Sequence, residues 1–446
     1  RRRPIAYSPR ASPLARLAMS APSHTAARRI LLVDCDAFYV QVARLEDPEG
    51  AGRAEYLIVG GSSSGRGVVT SASYSCREFG VHSAMPTGQA LRLCPQAMVA
   101  PVSRTACSER SRRVRDSLRT LAPLVQAASI DEFYLDLTGM DRMLAGESLV
   151  ESGRRIQAAV LAASDIRVSI GGGTNRLVAK LAAGRAKPNG VFVVPPGGEA
   201  DFIAELALAD LPGVGPKLVA ALSERGLRGV ADVRRVERDW LERWLGDGRA
   251  EWLLRRVWGR DDSPVVHGER RKSVSSERTF SRDLDTTEEL ERELLRLSVS
   301  VTASLRKEGL RARTLSVKVR TSDFTTRQRA HTFGDPVESD TVVFPVARRL
   351  LAELRARRRG RVRLLGVGLS NLVADDVPAQ LALFTEGVHA PGDSETDRDR
   401  ALARTVDVLR TRFGKDAVLP GRIVDPSPGR SETLRSADGR EPESPS

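Results

Sequence analysis

At 446 residues the chain is long enough for about three domains, and with 41% hydrophobic and 28% charged residues it has the balance of a folded globular protein, not of a wholly disordered one. No apolar run approaches the ~18 residues of a membrane span, four cysteines without a C-x-x-C pair suggest neither a disulfide framework nor a zinc site, and five scattered histidines argue against a His-built metal centre. The net charge of +13 is unevenly placed: residues 1–29 hold seven arginines and no acid, residues 272–374 hold 21 basic against 13 acidic side chains, and the rest is close to neutral.

One basic module on a near-neutral body suggests a polyanion held mostly from one side. Only seven of the 70 basic residues are lysine, an arginine excess that genome base composition also produces. Unpaired cysteines fit a reducing cytosol. Residues 1–28 read as a disordered basic tail in which Met19 lies just before the first structured segment, so residues 1–18 read as an upstream extension outside the fold.

Along the chain, residues 29–36 read as a buried strand ending in acids, and Phe38 to Leu45 as a helix. Gly60–Gly67 is a glycine/serine loop, residues 104–122 an Arg-rich helix, and Ile130–Thr138 a strand with Phe133, Leu135 and Leu137 on one face. A helix at 147–163, a strand at 166–170 and a helix at 175–184 follow. This alternation predicts an α/β or α+β body through about residue 192. Residues 200–260 turn helical around Leu211-Pro-Gly-Val-Gly-Pro-Lys217, and 261–271 read as a linker.

Residues 272–374 repeat a β-α-β-β-α-β order, with strands at 273–281 and 313–321, an apolar stripe Leu290, Leu294, Leu297, Val301, Leu305 on the first helix, a second helix at 346–359 and a last strand at 361–373. Beyond 375 come an acidic connector, a short amphipathic helix (Leu402, Val406, Leu409, Phe413) and a disordered end.

Two acidic clusters carry the chemistry. Val33-Asp34-Cys35-Asp36 and Ser129-Ile130-Asp131-Glu132-Phe133 each bring carboxylates to a strand end. Hard divalent cations want oxygen ligands from separate segments, and acids at strand ends are otherwise solvated caps. Asp131 and Glu132 point to opposite faces of a flat strand, so joint ligation requires a turn or bulge there. Tyr74 and Arg77, one helical turn apart, offer a hydroxyl and a planar fork for phosphate oxygens, and Lys187 sits before a turn.

The segments Val33-Asp-Cys-Asp-Ala-Phe-Tyr39, Ser73-Tyr-Ser-Cys-Arg-Glu-Phe-Gly-Val81, Ser129-Ile-Asp-Glu132, Ala186-Lys-Pro-Asn-Gly190 and Arg271-Lys-Ser-Val274, in this order, resemble the Y-family, DinB-type DNA polymerases, the bacterial DNA polymerase IV group. The resemblance runs from Arg29 to about Val373. It implies an α+β multidomain right hand: palm at 29–37 and 103–192, fingers at 38–102, a helix-hairpin-helix thumb at 193–260, a linker at 261–271, a split-βαβ little finger at 272–374 and an extension at 375–446.

It further implies template-directed, error-prone translesion synthesis, with no room in 29–374 for a proofreading exonuclease. Asp34, Asp131, Glu132 and the Cys35 backbone carbonyl would hold two Mg²⁺ ions. Tyr74, Arg77 and Lys187, with the backbone N–H groups of Phe38 and Tyr39, would grip the dNTP, and Tyr39 would be the steric gate against a ribose 2′-hydroxyl. Primer–template DNA would meet Gly213, Gly215 and Lys217 of the hairpin and Lys318, Arg320, Arg327 and Arg329 of the basic module. Gln380-Leu381-Ala-Leu383-Phe384 resembles a docking motif for the sliding clamp.

Ser73, Cys76 and Arg176 depart from the family's commoner Asn, Ala and Lys. A monomer without membrane attachment, cytoplasmic and near the nucleoid, completes the expectation. Two alternatives stand beside it: a palm-type nucleotidyl cyclase, which typically carries Gly-Gly-Asp/Glu-Glu-Phe where this chain has Ser-Ile-Asp-Glu-Phe, and a catalytically inactive DNA- or clamp-binding relative, which would have lost one of the carboxylates.

Overall fold

A run of apolar residues that ends in acid builds the centre of the first of two units, Arg1–Glu269 and Arg270–Ser446. The computed structural model describes residues 27–268, 271–356, 360–375 and 394–423. In chain order the first unit contains β1 (Ile30–Cys35), α1 (Phe38–Glu46), β2 (Leu57–Gly60), β3 (Val69–Ala72), α2 (Tyr74–Glu78), α3 (Thr87–Leu93), β4 (Met98–Ala100), α4 (Arg104–Leu121), β5 (Leu124–Ala127) and β6 (Glu132–Asp136). It continues with α5 (Leu149–Ser164), β7 (Val168–Gly173), α6 (Arg176–Ala186) and β8 (Val191–Val193), then α7 (Glu199–Ala204), α8 (Pro216–Ser223), α9 (Val230–Arg235), α10 (Arg238–Leu245) and α11 (Asp247–Val257).

The main sheet has the order β5-β6-β1-β7-β8, with β1 central and antiparallel to both neighbours. All six residues of β1 are buried, because helices cover both faces. Leu31, Val33, Phe133 and Leu135 pack on one side with α1, α4 and α5. Ile30, Leu32 and Tyr134 pack on the other with Ala179 and Ala183 of α6. The strand expected at 166–170 runs instead from 168 through 173, and Gly171 and Gly173 let α6 lie directly on the sheet. A Cβ at Gly171 would stand 2.0 Å from the Ala183 nitrogen and 2.2 Å from the Ala179 oxygen. That close approach sets the depth of α6, which carries Lys180 and ends at Lys187.

The smaller sheet, β3-β2-β4, forms a second core through Ile58, Val69, Ala72, Cys76 and Met85. Helix α1 serves both bodies: Phe38 and Val42 enter the main core, while Val40 packs with Leu57, Val59 and Ala100. Helices α7 to α11 build a third core on Leu177, Val178 and Leu181 of α6. Within it Gly213 turns the chain at φ +90° and Pro216 opens α8, the expected hairpin chemistry. Residues 261–268, read as linker, are fastened to this unit. Val265 is buried beside Leu32 and Tyr134, the Asp261 carboxylate accepts from the Leu177 N–H (3.1 Å), and the Val266 N–H donates to Gln126. A buried apolar residue outweighs the polar composition around it.

The second unit has β9 (Ser273–Leu284), α12 (Thr287–Lys307), β10 (Leu310–Thr321), β11 (Thr326–Val337), α13 (Asp340–Ala356), β12 (Val362–Ala374) and α14 (Asp397–Phe413). Its four strands form an antiparallel sheet of order β11-β10-β12-β9, as the β-α-β-β-α-β reading predicts. The predicted stripe of α12 is buried throughout. Helix α13 starts six residues before the position expected, with Pro345 inside it, because Val342 and Val343 extend its apolar face.

The last helix corrects the sequence reading. Its docked side holds Ala403 and Asp407, and Leu402 and Phe413 are 54% and 63% exposed. Charge anchors it: Arg306 donates two bonds to Asp407 (2.7 and 2.9 Å) and Arg404 two to the buried Glu338 (2.8 and 3.1 Å). Hydrophobic periodicity does not register a helix fastened through ion pairs.

Gly171→Ala is expected to cost about 2 kcal/mol of stability, because β7 or α6 must move to admit the methyl group. Chemical denaturation of the two proteins measures it, and an unchanged midpoint would mean that the contact yields freely.

Candidate active site

The two acidic clusters meet on adjacent strands. Asp34 of β1 is the direct cross-strand partner of Glu132 at the start of β6, so both side chains lie on the α6 face of the sheet. The Cys35 N–H donates to the Asp131 carbonyl (2.9 Å), which brings the third acid to the same strand end. The turn that this requires is made by Ser129. Its hydroxyl accepts from the N–H groups of Asp131 (3.2 Å) and Glu132 (3.0 Å) and donates to the Asp131 carboxylate. Strand β6 begins only after Asp131, so the opposed orientation of a flat strand never arises.

Two lysines balance this charge. The Lys187 Nζ stands 2.7 Å from Asp34, and the Lys180 Nζ contacts both oxygens of Glu132 at 2.6 and 2.7 Å. Burial pushes the Asp34 carboxyl above its ordinary value; Lys187 pulls it back, and Glu132 and Asp131 add to the rise. Lys180 escapes sequence reading because one lysine on a helix looks solvated until the register of α6 against β6 is known.

Asp36, two residues on, is 5% exposed and holds the neighbourhood together. Its carboxylate accepts from the Tyr74 hydroxyl (3.0 Å), the Ser169 hydroxyl (2.8 Å) and the Asn189 N–H (2.8 Å). Three separate segments are thus tied to one carboxylate, each bond charge-assisted. The Tyr74 hydroxyl proton, read from sequence as a phosphate donor, is here spent on Asp36. Arg77 donates to the Ala72 carbonyl (3.1 Å), and its guanidinium lies 4.9 Å from the centre of the Tyr74 ring. Arg176 lies 4.5 Å from the Tyr134 ring and donates to the Pro264 carbonyl, a packing role.

Ala37 turns the chain sharply between β1 and α1, at φ +41°. The first helical bonds to its carbonyl come from Val40 and Gln41. The N–H groups of Phe38 and Tyr39 therefore lie at the helix N-terminus, where backbone donors have no intrahelical partner. Phe38 is buried, and Tyr39 packs edge-on against it at 5.5 Å. The Tyr39 hydroxyl is raised in pKa, most by burial and next by the charge of Asp131.

Comparison with known proteins settles the family. The impB/mucB/samB family model matches residues 33–184, and the model of that family's C-terminal domain matches residues 271–383. A DNA polymerase IV of Caulobacter vibrioides is 38% identical over 393 residues, 88% of this chain and 93% of the relative. One from Desulfatibacillum aliphaticivorans is 36% identical over 397 residues, 89% and 96% of the two chains. Among solved structures, a Y-family DNA polymerase chimera of Dbh and Dpo4 aligns with a TM-score of 0.70 at 28% identity, covering 78% of this chain and 99% of that one. An insertion ternary complex of Dbh DNA polymerase aligns with a TM-score of 0.56 at 27% identity and the same coverage. The chain belongs to the Y-family DNA polymerases of the DNA polymerase IV type. Its fold is accordingly the α+β multidomain right hand expected from the sequence.

Y-family members need divalent metal ions. Among the described residues no three His, Cys, Asp or Glu side chains stand together as a formed ion site, and ammonium groups contact Asp34 and Glu132. The donor set nevertheless fits a hard cation. It offers oxygens only, crowds three carboxylates at one strand end, and already draws two cations to them.

The basic candidates of the second unit do not share a face. Lys318 pairs with Gln328 and Arg320 with Thr326, on the open side of the sheet, while Arg327 pairs with Val319 and Arg329 with Val317, on the side covered by helices. Period-two alternation along β11 separates what the sequence text groups. Lys318 is moreover paired with Glu277. Gln380 to Phe384 lie outside the described residues.

An aspartate whose folded pKa is raised binds its proton more tightly in the folded chain, so that stability is fully present below the ordinary value of 3.8 and lost as pH rises through the folded one. In chelator, Asp34→Asn is therefore expected to melt at a higher temperature than the parent protein at neutral pH, with the gap closing as pH falls below 3.8. Equal melting at neutral pH would mean that Lys187 fully offsets burial.

Proposed function

We propose that this chain extends a primer along a DNA template by transferring the nucleotidyl group of a dNTP to the primer 3′-hydroxyl, copying damaged templates without proofreading. The observation that carries it is the cross-strand pairing of Asp34 with Glu132, Asp131 beside them, under a helix N-terminus. The relatives are named DNA polymerase IV, and one structural neighbour is a ternary insertion complex. A cyclase does not account for the second unit, and an inactive relative would have lost an acid that this chain keeps.

Asp34, Asp131, Glu132 and the Cys35 carbonyl would hold two Mg²⁺ ions. When bound, such ions lower the pKa of the attacking hydroxyl and neutralise the triphosphate and the departing pyrophosphate. Ser129 fixes the Asp131 carboxylate and Asp36 fixes the segments that bear Tyr74 and Lys187. The Phe38 and Tyr39 N–H groups would donate to phosphate oxygens at the start of α1, helped by Arg77 and, once its hydroxyl swings from Asp36, by Tyr74. Lys187 exchanges its bond to Asp34 for the triphosphate as substrate arrives, leaving Asp34 to the ions. The Tyr39 ring fills the place of a ribose 2′-hydroxyl.

The palm takes 29–37 and 103–192, the fingers 38–102, the thumb 193–260, and the little finger 272–374 after a linker at 261–271. Gly213, Gly215 and Lys217 at the start of α8 would meet a DNA phosphate, and Lys318 and Arg320 would do so from the open sheet, with Arg327 and Arg329 reaching the backbone from its edge strand. Gln380, Leu381, Leu383 and Phe384 would fill an apolar groove of a sliding clamp. We read the chain as a monomer acting in the cytoplasm near the nucleoid, a reducing compartment that suits its four free cysteines. Among the described residues no helix is long and apolar enough to cross a membrane.

Extension of a primed template with Mg²⁺ and dNTPs tests the reading. Asp131→Ala is expected to lower the rate on the order of 10³-fold while DNA affinity stays within about twofold, and extension at the parental rate would remove Asp131 from the metal site. Tyr39→Ala is expected to raise NTP incorporation relative to dNTP by about tenfold or more, and unchanged sugar selectivity would end the gate assignment.

A further inference from the structure

The turn between β10 and β11 places an aromatic side chain where the backbone geometry favours glycine. Phe324 has φ +62°, and it is 64% exposed. A bulky residue in the left-handed region is strained, and such outliers persist only where their surroundings enforce them. Here Asp323 does so. Its carboxylate accepts from the Thr321 hydroxyl (2.5 Å), the Thr325 N–H (3.1 Å) and the Thr325 hydroxyl (3.0 Å), while the Phe324 N–H donates to the Thr321 carbonyl (2.9 Å). The Ser322 N–H donates to the Arg361 carbonyl (3.1 Å), which ties the turn to the start of β12. The ring is thus presented rigidly, not left loose.

Its surroundings are cationic. The guanidinium of Arg363 lies 4.6 Å from the ring centre, on one face. Arg320 flanks the turn, and Arg327 lines the recess beside Thr321 and Thr325. No other large exposed apolar side chain stands among these residues. A protein partner for a hydrophobic anchor would want apolar neighbours around it, whereas a single ring among arginines matches the chemistry of a nucleic-acid strand: a base to stack and phosphates to hold.

We propose that Phe324 is a stacking platform for an unpaired base of single-stranded DNA, with Arg320, beside the turn, holding a flanking phosphate. Arg363 covers one face of the ring and the base takes the other. In a polymerase the available unpaired strand is the template overhang beyond the primer terminus, so the platform holds template bases without reading them. This rests on the polymerase reading for the source of the strand and on the turn alone for the site.

The test is binding by fluorescence anisotropy to a primer–template with a single-stranded overhang of about ten nucleotides and to the matching blunt duplex, at one salt concentration. Phe324→Ala is expected to weaken binding to the overhang DNA about tenfold and to leave the duplex unchanged, and Phe324→Trp to restore affinity with quenching of the added indole on binding. Phe324→Gly removes the strain, so it is expected to lose affinity like the alanine variant while melting at the parental temperature or higher, which separates loss of the stack from loss of the fold. Parental affinity of Phe324→Ala for the overhang DNA would overturn the proposal, as would an equal loss on both DNAs, which would place the ring on duplex. If the parent bound neither DNA, the polymerase reading would fall with it.

Discussion

Crowding like charges at one buried strand end is the constraint on which the first unit depends. Asp34 and Glu132 face each other across β1 and β6 with Asp131 adjacent, and burial raises the cost of ionising Asp34. Such an arrangement persists only if cations come to it. Lys180 and Lys187 supply them from one helix, whose depth over the sheet is set by the absence of a side chain at Gly171. The glycine run of β7, the small residues Ala179 and Ala183 of α6 and the acids of β1 and β6 are therefore parts of one device. The two ammonium groups thus offset the charge of the carboxylates they contact.

Asp36 solves a different problem with the same residue type. Among the described residues it pairs with no lysine; three neutral donors from three segments converge on it instead. Removing one partner would leave the others intact, whereas removing the carboxylate leaves a buried hydroxyl and a backbone N–H to find new acceptors, an asymmetry worth several times a single bond. The acid near the metal set and the acid two residues on are thus separable by environment: one is surrounded by charge, the other by hydrogen-bond donors. In the text Asp34-Cys35-Asp36 they are indistinguishable.

That contrast describes what the sequence could reveal. Strand and helix identity followed from periodicity for β1, β6, α12 and the order of the second unit, because burial on one face imprints directly on the text. The acids were legible as clusters, and the resemblance to a polymerase family supplied their partners. Lys180, Ser169 and Asn189 were not legible, since their roles depend on register across elements far apart in the chain. Arg327 and Arg329 were grouped with Lys318 and Arg320 on charge, and alternation along β11 divides them between two faces. The apolar stripe of α14 is not what docks it, because its anchors are Arg306, Asp407, Arg404 and Glu338, and ion pairs leave no periodic signature.

Ala37 and Phe324 are two of the seven described non-glycine residues with a positive φ, and both lie at a strand-to-element turn. At φ +41°, Ala37 turns the chain between β1 and α1 and so fixes where the first N–H groups of α1 lie. Phe324 ends β10 and holds a ring in solvent. Ala37 is held by its packing against Val40, Leu57 and Val59, whereas the exposed Phe324 is held by the Asp323 carboxylate and two threonines. Where a fold maintains strain without a local return, the return lies in what the strained group meets.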